Sequence, residues 1–223
     1  MKIEERARLH RALGDEMRLR IVDELILADR TPAELGESIG MRSNLLAHHL
    51  GVLDESGLLV RHTSEGDRRR RYVGLRRELL TQFDLGRDVR ATSVLFVCTH
   101  NSARSKFAEA FMRERTGLVV QSAGTRPSAA VHPKAVSMAA GMGVEIDAEP
   151  PKPYDQVRGT PDLVISVCDR ARERPLPFSA PSLHWSVPDP VKVDRVDAFR
   201  VAFTTIRDRV DQLVDALERG SHS

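Results

Sequence analysis

Apolar residues recur every fourth position in LGDEMRLRIVDELILAD, residues 13–29. This spacing places them on one face of a helix, and Asp15 is positioned to cap its first turn. The next stretch, TPAELGESIG, has Thr31 as a cap, Pro32 at the first helical position and Gly40 as a stop. The pattern therefore predicts two short helices in succession.

A third helix and a hairpin are predicted next. In SNLLAHHLGVLDESG, Ser43 is the expected cap, the leucines face inward, and Gly57 ends the helix. Asn44 and His48 lie on its outward face. Apolar runs then predict two strands joined by a turn at residues 65–67. Two helices with a tight turn, followed by a hairpin, form a helix-turn-helix with a wing.

Arginine is concentrated on this hairpin. Residues 61–77 contain seven arginines and two acids, whereas the whole chain has a formal charge of only +2. A basic hairpin tip is suited to phosphate contacts and to insertion into a minor groove. The alternative is a solvated hairpin without a partner. The coincidence with a helix-turn-helix pattern favours nucleic-acid binding.

Most of residues 1–80 resemble the ArsR family of winged-helix repressors. LGDEMRLRIVDEL, TPAELGESIGM, SNLLAHHLGVLDESGLLV and the basic wing carry the resemblance. It implies a homodimer that binds operator DNA. It also implies base contacts from the recognition helix and backbone contacts from the wing, made by Ser43, Asn44, His48, Arg68, Arg69, Arg70 and Arg71.

The metal-sensing residues of many ArsR proteins are missing here. TPAELGES, before the recognition helix, has no cysteine, and RRELLTQFDL, the expected last helix, has no histidine. His48 and His49 are adjacent, so their side chains diverge by about 100° on a helix and do not easily share one ion. We expect one of them to face DNA or solvent and the other to pack at the domain edge.

Residues 92–218 have a different pattern. TSVLFV and PDLVIS are continuous apolar runs, typical of strands buried on both faces of a parallel sheet. They alternate with helical patterns that end in DAFRVAFTTIRDRVDQLVDAL. The fold class is therefore two domains: a mainly α winged helix-turn-helix at 1–80, then an α/β doubly wound parallel sheet at 92–218. We also expect a linker at 81–91 and a flexible tail at 219–223.

The first predicted strand of the second domain leads into CTHNSARS and then a helix. Loop N–H groups and a helix N-terminus both attract oxyanions. The helix terminus, the Arg104 guanidinium and the Ser105 hydroxyl would all stabilise a thiolate at Cys98. Arg104 offers a planar fork that matches two oxygens of a tetrahedral oxyanion. A buried structural cysteine is the alternative, but the flanking strand and helix favour a nucleophile.

Residues 92–218 resemble the low-molecular-weight tyrosine phosphatase fold and, within it, the arsenate reductases. CTHNSARS, SAGT, HPKA, PDLVIS and HWSVPDP carry this resemblance. It implies that Cys98 is the nucleophile, Arg104 binds the oxyanion, Asn101 shapes the loop and Ser105 supports the thiolate. It also implies that Asp189 protonates the leaving oxygen, although an acid before proline is commonly a turn residue.

The residues around the loop distinguish a phosphatase from a reductase. Tyrosine phosphatases of this fold usually have D-P-Y and an aromatic rim, whereas here Val191 follows Asp-Pro and Tyr154 is the only tyrosine of the domain. This favours a small inorganic oxyanion such as arsenate or phosphate. Cys168 is either a resolving thiol or a buried cysteine. The third cysteine of three-cysteine reductases is replaced by Pro175.

The loop, with His100 and Ala103, is closer to single-cysteine enzymes that use mycothiol or glutathione. No tightly bound cofactor is expected; the mycothiol, glutathione or thioredoxin system would supply the external thiol, with a redoxin as partner. Four residues match positions that bind potassium in some relatives, namely Asn101, Glu109, Ser122 and Asp162. Oxygen ligands suit a hard cation, but a helical glutamate is more often a surface or capping group.

The composition restricts the setting. No apolar run is long enough to span a bilayer and MKIEERARLH has no signal-peptide core, so we expect a cytoplasmic protein without a membrane partner. The preferred hypothesis is a bifunctional protein, a DNA-binding transcriptional regulator and a thiol-dependent arsenate reductase. The alternatives are a tyrosine phosphatase fused to a regulator and a non-catalytic, oxyanion-sensing repressor.

Overall fold

The structure, a computed structural model, describes residues 3–76, 79, 89–146 and 149–221. It separates into two compact units, Met1–Ser64 with Arg68–Arg87, and Glu65–Asp67 with Asp88–Ser223. Most of the expected linker and of the helix expected in RRELLTQFDL lie outside the described residues. Among the described helices, none has the length and apolar content needed to cross a membrane.

The first unit consists of four helices and a hairpin. They are α1 (Ile3–Leu13), α2 (Glu16–Ile26), α3 (Pro32–Ile39), α4 (Ser43–Glu55), β1 (Leu59–Thr63) and β2 (Arg71–Leu75). The two strands pair antiparallel. Its core contains buried leucines and isoleucines from the helices together with the fully buried Tyr72 and Val73 of β2.

The helix boundaries of this unit follow the expected capping residues in two of three cases. Asp15 caps α2, and Thr31 forms a capping box with Glu34 at the start of α3. Gly40 ends α3 in the left-handed conformation, with φ 66°. The expected cap of α4 is wrong: Arg42 is the N-cap, without a side-chain cap hydrogen bond, and Ser43 is the first helical residue.

The second unit contains a four-stranded sheet with helices between the strands. Its elements are β3 (Ser93–Cys98), α5 (Arg104–Arg115), β4 (Val119–Gly124), α6 (Pro133–Gly141), β5 (Leu163–Ser166), α7 (Asp169–Arg172), β6 (Ser182–His184), α8 (Pro190–Val193) and α9 (Val196–Ser221). The strand order is β4-β3-β5-β6, and every neighbouring pair is parallel. The expected parallel α/β sheet is confirmed.

The strand order positions the loop that follows β3. The chain leaves β3 for β4 on one side and later returns to β5 on the other side of β3. In open parallel sheets, such a reversal opens a crevice at the carboxyl ends of the strands, where ligands bind. Cys98 is the last residue of β3 and therefore lies at this point.

Helix α5 is buried along most of its length, from Arg104 to Met112. Phe107 and Phe111 lie on one face, as the sequence predicts, with ring centroids 5.9 Å apart. Phe107 also stacks on Phe203 of α9 at 4.0 Å. These aromatic contacts fix the helix that begins at the loop. Helix α9 continues to Ser221, so residues 219–221 of the expected flexible tail are helical.

Candidate active site

The sulfur of Cys98 lies within the loop between β3 and α5. Its Sγ accepts a hydrogen bond from the backbone N–H of Asn101 at 3.0 Å, and the Ser105 Oγ lies 3.1 Å away. Cys98 is 3 % exposed. Two polar groups therefore surround the sulfur, and cysteine acts as a nucleophile in its thiolate form.

Asn101 determines the shape of this loop. It has φ 50°, a left-handed conformation that asparagine tolerates better than most residues. Its Nδ2 donates to Ser105 Oγ at 2.9 Å and to Ser122 Oγ at 2.7 Å. Its Oδ1 accepts the N–H of Lys152 at 2.9 Å. The side chain is fully buried, so every polar atom of its amide is used inside the protein.

Gly124, at the end of β4, allows the loop to approach the sheet. A Cβ at this position would come within 2.7 Å of the Thr99 carbonyl oxygen and 3.0 Å of the Asn101 nitrogen. The adjacent Thr125 donates its N–H to the Cys98 carbonyl at 3.1 Å. A cleft of about 470 Å³ borders these residues and is walled by Tyr154.

Arg104 and Asp189 face each other across the site. The Arg104 Nη2 is 3.2 Å from Asp189 Oδ1, and its Nη1 donates to the Val187 carbonyl at 2.7 Å. Burial opposes the charge of this guanidinium, but the negative charges that Cys168, Asp189 and Cys98 carry when ionised outweigh burial and raise the pKa of Arg104. Asp189 also accepts the N–H of Val191 and so caps α8. Asp189 is therefore both a turn residue and a neighbour of Arg104, the residue expected to bind the oxyanion.

Cys168 lies just beyond the end of β5, on the same edge of the sheet as Cys98. Its Sγ is 3.4 Å from Thr99 Oγ1 and accepts the N–H of Ala171 at 3.4 Å. Burial raises the pKa of the Cys168 thiol, although the Arg104 guanidinium opposes this effect. Both cysteines are free in the structure. Cys168 is thus close to the site but kept mainly as a thiol.

A buried histidine holds the residue after Cys168. His184 Nε2 is 3.2 Å from Asp169 Oδ1, and His184 Nδ1 is 2.9 Å from Ser166 Oγ. Burial raises the pKa of Asp169, but the hydrogen bonds that the carboxylate accepts, the one with His184 foremost, together outweigh burial, and the net pKa is lowered. This pair anchors the turn that carries Cys168.

The structure brings together only three of the four residues expected to bind potassium. Asn101 donates to Ser122, and Ser122 Oγ donates to Glu109 Oε2 at 2.6 Å. Asp162 instead precedes β5 and accepts hydrogen bonds from Thr92, beside the start of β3. Since β3 rises about 3.3 Å per residue, Asp162 and the loop after Cys98 lie roughly 16 Å or more apart.

Sequence reasoning missed Lys106 and Thr99. Lys106 is 1 % exposed, and its Nζ is 3.7 Å from Glu109 Oε2. A lysine is rarely buried, so its identity predicts a surface position. The available signal was its place in the first turn of α5, where the helix dipole disfavours a cation.

The residues expected to contact DNA are exposed on the first unit. Ser43, Asn44 and His48 are exposed on α4, whereas His49 is buried beside Asp15 at 3.6 Å. The expected divergence of the two histidines is thus confirmed. The four arginines expected in the wing, Arg68, Arg69, Arg70 and Arg71, are exposed as well.

Two arsenate reductases are similar in sequence to the second unit. A glutaredoxin arsenate reductase of Synechocystis is 29 % identical over 126 residues, which cover 54 % of this chain and 95 % of that protein. An arsenate reductase of Halalkalibacterium halodurans is 30 % identical over 127 residues, covering 54 % and 91 %.

A solved structure of an arsenate reductase is also similar to the second unit. An arsenate reductase in the phosphate-binding state superposes with a TM-score of 0.50 at 28 % identity, over 56 % of this chain and 98 % of that one. The sequence model of the low molecular weight phosphotyrosine protein phosphatases matches residues 93–223, more than half of the chain. With the parallel sheet, the cysteine loop and this match together, the chain belongs to the low molecular weight phosphotyrosine protein phosphatase family.

Proposed function

We propose that this protein is a thiol-dependent arsenate reductase joined to a DNA-binding transcriptional regulator. The observation that carries the enzymatic half is the Cys98 sulfur, hydrogen-bonded within the loop and close to the Arg104 guanidinium. The relatives named arsenate reductase support the same activity, since this chain matches more than nine-tenths of their length.

The site supplies each group that the first step requires. The Cys98 thiolate attacks the arsenic of arsenate, and the fork of Arg104 binds two of its oxygens. Asp189, 3.2 Å from Arg104, acts in its protonated form: it donates that proton to the leaving oxygen, which departs as water, and is left as a carboxylate. The product is a covalent adduct with a sulfur–arsenic bond at Cys98.

A second thiol completes the reduction. It attacks the Cys98 sulfur, so that a disulfide forms and the sulfur–arsenic bond breaks. The electron pair of that bond goes to arsenic, which is reduced from As(V) to As(III) and leaves as arsenite. The two thiols are oxidised, and a redoxin returns them to the reduced form.

We propose an external small thiol, mycothiol or glutathione, for this second step. The internal candidate, Cys168, has a raised pKa through burial, and the thiolate is the attacking form. Pro175 stands where a third cysteine would carry an internal disulfide outward. The name of the Synechocystis relative contains glutaredoxin, which is consistent with a small-thiol route.

One assay tests the enzymatic half against its alternatives. Arsenate-dependent oxidation of the thiol-recycling system would be followed beside hydrolysis of p-nitrophenyl phosphate. We expect arsenate turnover that Cys98→Ser abolishes, because an alcohol is not ionised by this loop. Lys134→Gln, which alters a half-exposed lysine of the same unit, serves as the control preparation. Activity of Cys98→Ser within tenfold of the wild type would exclude Cys98 as the nucleophile. Phosphate hydrolysis alone would indicate a phosphatase, and neither activity would indicate a sensor.

For the first unit we propose binding of operator DNA by a homodimer of the ArsR type. Helix α4 presents exposed polar residues, and the hairpin presents four consecutive exposed arginines, at residues 68–71. A helix that enters the major groove and a basic wing along the backbone suit this arrangement.

Gel-shift experiments with the DNA upstream of the gene for this chain test the regulator. We expect a dimeric complex that weakens steeply with salt and with Arg69→Ala combined with Arg70→Ala. Arg195→Ala with Arg207→Ala removes the same charge from exposed positions of the second unit and should leave binding unchanged. Equal binding by all three proteins would contradict the wing assignment.

A further inference from the structure

Lys106 is a buried cation in the first turn of α5. Its side chain is 1 % exposed, and the Nζ finds no hydrogen-bond partner among the described residues. The charged group nearest to it is Glu109, itself 2 % exposed, whose Oε2 lies 3.7 Å away. Burial of an ammonium is costly, and the N-terminal turn of a helix adds an unfavourable dipole. Lys106 does not stabilise the helix from this position, so its presence there needs another explanation.

The carboxylate beside Lys106 begins a chain of hydrogen bonds that ends at Cys98. Glu109 Oε2 accepts the hydroxyl of Ser122, whose Oγ accepts one N–H of the Asn101 amide. The other N–H of that amide goes to Ser105 Oγ. Because Ser105 Oγ is thereby an acceptor, its own hydrogen is left to point at Cys98 Sγ, 3.1 Å away.

The direction of this chain depends on the acceptor at its far end. A carboxylate can only accept, so the Ser122 hydroxyl must donate to it. The Asn101 Nδ2 can only donate, so it fits between two serine hydroxyls only while the Ser122 hydrogen points away from it, to Glu109. Ser105 is then left to donate to sulfur. Arg113, half-exposed, neutralises the outer oxygen of Glu109, while Lys106 lies beside the inner one. The inner oxygen is the one that Ser122 uses.

A potassium ion does not fit this arrangement. Asp162, the fourth expected ligand, lies at the opposite end of β3. The inner oxygen of Glu109 already faces the Lys106 ammonium, and the Asn101 Oδ1 already accepts the N–H of Lys152. A second cation in the same place would be repelled by Lys106.

We propose that Lys106 is a built-in cation that takes the place of a bound alkali ion and, through Glu109, keeps the hydrogen of Ser105 directed at Cys98. Lys106 is on this proposal a positioning residue that does not touch the substrate. The effect of Lys106 on catalysis rests on the proposed function of Cys98 as the nucleophile. The effect of Lys106 on the hydrogen bonds of the loop does not depend on that function.

Substitution of Lys106 separates charge from packing. Lys106→Met keeps most of the side-chain volume and removes the charge, which leaves Glu109 without its buried counter-charge. Lys106→Met combined with Glu109→Gln removes both charges and keeps an acceptor for the Ser122 hydroxyl. Lys134→Met is the matched control, because Lys134 is half-exposed and pairs with Asp194 on the surface.

Two readouts need neither arsenate nor turnover. The first is the rate at which iodoacetamide alkylates Cys98 at pH 7, measured by mass spectrometry of the Cys98 peptide. The second is urea unfolding followed by fluorescence of Trp185, the single tryptophan of the chain, which is buried in the second unit. Both are recorded in potassium, sodium and choline chloride at equal ionic strength. A failure of the proposed reductase activity would leave both readouts intact.

The wild type and Lys134→Met should alkylate at the same rate in all three salts. Lys106→Met should be slowed about tenfold in choline, the loss expected when a hydrogen bond to a charged sulfur is misdirected. Potassium chloride should restore much of the alkylation rate of Lys106→Met. The double variant, which adds Glu109→Gln, should recover much of that rate without potassium. If Lys106→Met does not fold, the double variant with Glu109→Gln takes its place. A folded double variant that alkylates at nearly the wild-type rate supports the same role for the Lys106 charge.

Three results would overturn the inference. One is a wild-type rate or unfolding midpoint that rises with potassium over choline. Another is a Lys106→Met variant that matches the wild type in choline, or that is slowed and recovers neither with potassium nor with Glu109→Gln. The last is failure of both the single and the double variant to fold, which would make Lys106 a packing residue only.

Discussion

Replacement of Asn101 by alanine should strongly destabilise the second unit. The side chain makes three hydrogen bonds, to Ser105, Ser122 and Lys152, at 2.9, 2.7 and 2.9 Å, and the first two are buried. At a net value of about 1 kcal/mol each, their loss costs about 3 kcal/mol.

The backbone adds a second cost. At φ 50° the residue is left-handed, where a Cβ without local hydrogen bonding costs about 1–2 kcal/mol. Asn101→Ala should therefore lower the free energy of unfolding by about 4–5 kcal/mol, a large part of the stability of a typical domain. With a urea m-value of about 2 kcal/mol per molar, the midpoint falls by roughly 2 M.

Urea unfolding followed by Trp185 fluorescence measures this change, because Trp185 is buried in the second unit and packs against Phe96, with ring centroids 5.7 Å apart. Asn101→Gly is the matched control. It loses the same hydrogen bonds, but glycine adopts the left-handed conformation without the penalty that a Cβ carries. It should be about 1 kcal/mol less destabilised than Asn101→Ala. Equal midpoints for Asn101→Ala and the wild type would refute the role of the amide, and equal losses for the two variants would refute the contribution of the backbone.

Three further outcomes are expected. Arg104→Lys should lower kcat for arsenate by about 100-fold, because a point charge does not reproduce the planar fork; steady-state rates near the wild-type value would contradict this. Cys168→Ser should retain most arsenate reduction with mycothiol or glutathione and the matching redoxin, and intact-mass measurement should show the small thiol on Cys98. An inactive variant and an internal disulfide in the wild type would assign resolution to Cys168 instead. Asp162→Ala should leave activity and the response to potassium unchanged. Hydrogen bonds from Thr92 hold the pKa of Asp162 below its ordinary value, so its stabilisation is present at pH 6 and is lost as the pH falls below about 4; a gap in unfolding midpoints that widens at low pH would contradict this.

The sequence determined the local structure at positions where the backbone conformation accepts only a few residue types. Thr31, Pro32 and Gly40 mark the ends of α3, because capping, a fixed φ and a left-handed stop each select few residues. The loop from Cys98 to Arg104 was predicted for a similar reason. An apolar strand, a short loop and a helix place the cysteine at an anion-binding helix terminus whatever surrounds them.

The tertiary structure alone decided which side chains meet. Asp162 is one residue from a strand that pairs with β3, yet parallel pairing places it at the end opposite the loop. Lys106 is polar in sequence but buried, because α5 is covered along most of its length by its neighbours. Burial and strand register arise from contacts between residues far apart in the chain, and local patterns do not encode them. The sequence thus determined where the proposed nucleophile lies, and the packing decided which charged side chains lie near it.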